Sequence, residues 1–103
     1  MYFRDEEIHA DGPNVTIRKG EKWNKLNPGE KFELVETGTA NTIGYGVAKE
    51  TMTMPFMEVP DYIFDRKVLP ATQTRSQMLK ELKSNYENFE KHDIVTVVLF
   101  DLI

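Results

Sequence analysis

A chain of 103 residues with 40% apolar side chains is sized for one domain around one hydrophobic core, taken as residues 1–103. Its net charge is -4, and the absence of cysteine rules out disulfides and thiolate metal sites. Two histidines make a poor zinc set, no apolar run approaches the 18 residues of a membrane span, and no signal-peptide core opens the sequence; a cytoplasmic monomer without metal or cofactor is expected.

The net charge hides an alternation of sign. Residues 1–12 carry -3, residues 13–32 carry +3, residues 33–65 carry -5, residues 66–83 carry +4, and residues 84–103 carry -3. The two basic blocks would form a single positive surface if the fold joined them; otherwise they are separately solvated faces.

In chain order, Gly12 and Pro13 signal a turn before "NVTIR", a short β-branched strand. The polar loop "KGEKWNKLNPGE" follows and closes at Asn27-Pro28-Gly29, where proline fixes φ and glycine tolerates φ > 0. "KFELVE" reads as a second strand with Phe32 and Leu34 on one face. After the turn "TGTAN" comes a longer strand, "TIGYGVAKETMTM", in which Ile43, Tyr45 and Val47 alternate with Gly44 and Gly46 placed outward. Glycines in a strand point to a bulge or to close approach by a ligand or another backbone. Pro60 opens a short helix over "PDYIFDRK". Met78, Leu79, Leu82, Tyr86 and Phe89 recur at helical spacing in "TRSQMLKELKSNYENF", with Thr74 or Ser76 as cap. "DIVTVVLFDLI" is apolar on both faces, as in a strand buried on both sides. The order β-β-β-α-α-β predicts an α+β domain on a small, curved sheet or barrel.

The strand "VTIR", the "NPGEKFELVE" turn and strand, "YGVAKETMTM", the helix ending in "NYENF" and the closing "DIVTVVLFDLI" resemble, in this order, an ASCH domain of the PUA-like superfamily. The resemblance covers about residues 8–103. It implies a small PUA-like β-barrel with about two helices packed against it, and an association with RNA or modified nucleosides. Some members are small amidohydrolases acting on acetylated cytidine through a lysine, a threonine and a glutamate. Laid on "ADGPNVTIR", the family motif puts its threonine on Thr16 and its arginine on Arg18. Its lysine then falls on Pro13, and its glutamate falls near Ala71, so two of three catalytic groups are unmatched. A second register uses Gly20-x-Lys22 and matches the lysine literally, at the cost of a shortened loop. Loop lengths and strand alternation favour the first.

The resemblance also implies a cleft between the first strand with its loop and the segment leading into the later helix, which are the two basic blocks. The expected ligand is RNA or a nucleotide-like molecule. Arg18, Lys19, Lys22, Arg66, Lys67 and Arg75 would supply cations, and Trp23 and Tyr45 flat faces for stacking. The competing bland readings are a Trp23 folded back on the sheet, an Arg18 paired with Glu21, Glu33 or Glu36, and solvated Lys22 and Lys25. An amidohydrolase alternative would activate Thr16 by Lys22, with Glu58 or Glu81 as the carboxylate. In a third reading, a phage-type accessory protein would offer the acidic block of Glu33, Glu36, Glu50, Glu58, Asp61 and Asp65 to a host protein.

Overall fold

The computed structural model describes residues 2–3, 14–23, 25–66 and 74–103. The strands are β1 (Tyr2–Phe3), β2 (Asn14–Lys19), β3 (Lys31–Glu36), β4 (Thr42–Pro55) and β5 (Ile94–Leu102). They form one sheet in the order β1-β3-β4-β5-β2. β2 to β5 pair antiparallel and curl into a half-barrel, while the short β1 runs parallel to β3 at its edge. The domain is therefore α+β, as the element order predicts. β1 has no signal in the sequence because two residues carry no periodicity, and the stretch "RDEEIHAD" lies outside the described residues.

β5 is an interior strand of this sheet, between β4 and β2, and Val95 through Phe100 are all buried. Its alternation divides the molecule into two cores. Val95, Val97 and Leu99 point to one face, where they pack with Val15, Ile17, Phe56, Val59, Ile63, Phe64, Met78, Leu82 and Phe89. Val98 and Phe100 point to the other, packing with Leu26, Phe32, Leu34 and Ala48. We call these the helix face and the loop face. Each large apolar side chain so buried contributes about 1.5–3 kcal/mol of transfer free energy.

The helix face is covered by α1 (Arg75–Asn85) and by two 3₁₀ turns, Phe56–Glu58 and Asp61–Arg66. Thr74 is the N-cap of α1. Its hydroxyl accepts from Gln77 N–H at 3.1 Å, and its own N–H donates to the Gln77 side chain at 3.2 Å, a reciprocal capping box. The helix stops one residue before Tyr86, so Phe89 reaches the core from the following turn rather than from the helical stripe. The "PDYIFDRK" helix is realised as the second 3₁₀ turn, beginning with Ile63 N–H on the Pro60 carbonyl.

The loop face is covered by residues 20–23 and 25–30. Asn27-Pro28-Gly29 turns as expected: the Asn27 carbonyl accepts from Glu30 N–H at 2.9 Å, and Gly29 has φ +89°. Gly29 N–H and the Glu30 carbonyl then tie the loop end to Ala48.

β4 contains the feature that shapes this face. Its partners along β5 run Ala48↔Phe100, then Glu50↔Leu99, which leaves Lys49 as an extra residue. Such a bulge reverses the alternation. Before it, Gly46 and Ala48 point to the loop face; after it, Thr51 and Thr53 do, and Met52 and Met54 turn to the helix-face core.

Candidate functional site

The loop face is apolar at one end and polar at the other. Across the apolar end, Phe32 and Phe100 meet edge to face, with ring centroids 5.2 Å apart. They close over Gly46, where a Cβ would come within 2.8 Å of Phe32 and 3.0 Å of Phe100. This corrects the outward placement of Gly46, where the close approach is made by two aromatic rings; at Gly44 a Cβ would meet nothing within 4 Å.

At the polar end, β2 contributes Thr16 and Arg18, β5 contributes Thr96, and β4 contributes Thr51 and Thr53, while Asn14 stands beside Phe100 at the apolar end. Cross-strand register places Arg18 opposite Thr96 and Thr96 opposite Thr53, so the three form one row across three strands. Thr16 stands in the next row with Val98 and Thr51.

Hydrogen bonds order this row. Arg18 Nε donates to Thr16 Oγ1 at 3.0 Å, which fixes the plane of the half-buried guanidinium. The fully buried Thr96 hydroxyl donates to the Gly20 carbonyl at 2.7 Å and holds the loop start onto the sheet. Thr53 Oγ1 lies 3.4 Å from Thr96 Oγ1, and Thr51 donates to the Leu26 carbonyl at 3.4 Å.

Of the residues expected on a cleft, Thr16, Arg18, Lys22 and Trp23 belong to this face or its covering loop. Trp23 is half-buried and packs on the loop-face core, and Lys22 Nζ lies 5.2 Å from the centre of its ring. Lys19, Tyr45 and Arg75 go elsewhere. Lys19 pairs with Val95, on the helix face, and its ammonium lies 6.0 Å from the Tyr86 ring. Tyr45 pairs with Glu33, on the face opposite Phe32 and Gly46, and is 49% exposed.

Arg75 is committed to the helix face. Its guanidinium stacks on Phe64 at 4.7 Å and donates to the carbonyls of Phe56, Met57 and Val59 and to the Asp61 carboxylate. Arg18 and Arg75 thus belong to opposite faces of the sheet, and the two basic blocks are not joined through this pair. The backbone of Arg66 ends the second 3₁₀ turn. Its side chain, Lys67, Pro13 and Ala71 lie outside the described residues.

The sequence reading missed Thr51, Thr53 and Thr96. The first two are found only by letting the alternation restart at Lys49. Thr96 is the one hydroxyl in "IVTVVLF", an otherwise apolar run, and that was its signal. Among the described residues, no group of three or more His, Asp or Glu is placed to hold a metal ion. No helix among them is long and apolar enough to cross a membrane.

Fold and site together define a small α+β domain with, among the described residues, a curled antiparallel sheet, one substantial helix, and a hydroxyl-and-arginine strip beneath a loop. No family model matches the sequence, and no curated protein does. Four chains among the solved structures match, two of which show the likeness of fold. Protein EF3133 from Enterococcus faecalis V583, of family model DUF984, superposes with a TM-score of 0.60 at 12% identity, over 86% of this chain and 60% of that one. Hypothetical protein PH0355 superposes with a TM-score of 0.58 at 17% identity, over 88% of this chain and 81% of that one. The chain spans about three fifths of the length of EF3133. At these identities the likeness concerns the fold alone.

Proposed function

We propose that the chain is an ASCH-like, PUA-like module that binds RNA or a nucleotide-like ligand on the polar end of the loop face. The supporting observation is the Arg18–Thr96–Thr53 row, with Arg18 oriented by Thr16. A guanidinium whose plane is fixed and which lies beside a hydroxyl suits a phosphate oxygen or a base acceptor. Trp23 and Lys22 flank the same face on the covering loop, where an unstacked base would meet an indole and an ammonium.

The amidohydrolase reading draws less support from the same geometry. Thr16 has a guanidinium as its hydrogen-bonding neighbour, while Lys22 is placed over an indole. Glu58 and Glu81 sit on elements that cover the opposite face.

The test is binding of a fluorescent single-stranded RNA, followed by polarisation across a salt series. Arg18→Gln is expected to weaken binding several-fold and to lower the slope of log K against log salt by about one phosphate contact, ~0.7 for a single strand. Binding that ignores both salt and Arg18→Gln would remove the proposal.

A further inference from the structure

A hydroxyl has one proton, so the direction of each bond in the threonine row can be worked out. Thr96 is fully buried and gives its proton to the Gly20 carbonyl at 2.7 Å. What it presents to Thr53, 3.4 Å away, is a lone pair. The proton between them is therefore Thr53's. Thr53 is part-buried, and once that proton is spent its remaining capacity is to accept. Thr51, two residues earlier on the same strand face, donates to the Leu26 carbonyl and has the same polarity. Across the row stands Arg18, which can only donate. The row thus has a donor end and an acceptor end two strand spacings apart, about 10 Å.

We infer that Thr53 is a specificity residue of this face: it accepts an N–H from the edge of a nucleobase and turns away a carbonyl or ring nitrogen. The inference rests on the nucleotide-binding reading above and adds the polarity of the contact. A free hydroxyl would rotate to suit either partner. This one is held by Thr96, which is itself held by the loop backbone, so its discrimination depends on a residue that no ligand touches.

The experiment uses two nucleotide pairs as probes, titrated into the full chain and followed by threonine methyl NMR. The pairs are uridine 5′-monophosphate with its analogue methylated at the ring N–H, and adenosine 5′-monophosphate with its analogue dimethylated at the exocyclic amine. In the unchanged protein, methylation of at least one pair is expected to weaken binding about five- to tenfold, the worth of one hydrogen bond to a part-buried acceptor. In Thr53→Val that ratio falls to within about twofold. Thr96→Val, which keeps Thr53 but returns its proton, also lowers the ratio while binding of the unmethylated nucleotides persists; a merely structural Thr96 would alter affinity and leave the ratio alone. Equal binding of both members of both pairs, or a ratio that survives Thr53→Val, overturns the inference while leaving Arg18-dependent binding intact. Absence of binding by all four nucleotides overturns the functional reading, and the inference with it.

Discussion

Replacing Arg75 by methionine separates a structural arginine from a ligand-binding one. The guanidinium donates to the Phe56 carbonyl at 3.1 Å and to the Val59 carbonyl, both part-buried, and to the exposed Met57 carbonyl at a long 3.4 Å. A charge-assisted bond contributes about 1.5–3 kcal/mol where it is desolvated, less where water competes. The Asp61 carboxylate is 96% exposed, so that ion pair adds little. Methionine retains most of the apolar stem but loses the stacking on Phe64, worth about 0.5–1 kcal/mol. Counting the two part-buried carbonyls as the main loss, Arg75→Met should cost ~3–4 kcal/mol, a large fraction of the 5–15 kcal/mol typical of a domain. Urea unfolding should show it as a lower midpoint with an unchanged slope. Asp61→Asn, the control, should shift stability by less than ~0.5 kcal/mol. An Arg75→Met protein within about 1 kcal/mol of the parent, yet several-fold weaker for RNA, would refute the structural role and return Arg75 to the ligand.

Other substitutions probe the rest of the molecule. Gly46→Ala drives a methyl into Phe32 and Phe100 and should cost ~1–3 kcal/mol, read as a thermal midpoint several degrees lower. Thr74→Ala removes the cap and half of its reciprocal box, for a loss of ~0.5–2 kcal/mol in chemical denaturation. Lys19→Gln, on the helix face, should leave RNA affinity within about twofold of the parent under the conditions in which Arg18→Gln weakens it. An equal loss from both would mean that the ligand reaches around the strand edge.

Elements with strong local signals were legible in the sequence. The doubly apolar "IVTVVLF" announced a strand buried on both sides, and β5 is that strand. Thr74, the Met78–Leu82 spacing and the Asn27-Pro28-Gly29 turn each settled locally what the fold uses. The side-chain directions around the site were less legible. Arg18 and Lys19 are neighbours in sequence, and a strand sends them to opposite faces. Arg75 looked like a spare cation because the carbonyls that occupy it belong to a segment 16 to 19 residues away in the chain. Gly46 was placed outward because the aromatic rings that require it come from β3 and β5, on either side of β4.

The extra residue at Lys49 also protects the pairing of β4 with β5. Ahead of it, even-numbered positions serve Phe32 and Phe100; beyond it, even-numbered Met52 and Met54 serve the opposite core. A slide of the whole strand by one position would turn both methionines out of their core and press Tyr45 and Val47 into the other. Because the two halves keep opposite time, a regular pairing without the extra residue would fill one core only by emptying the other.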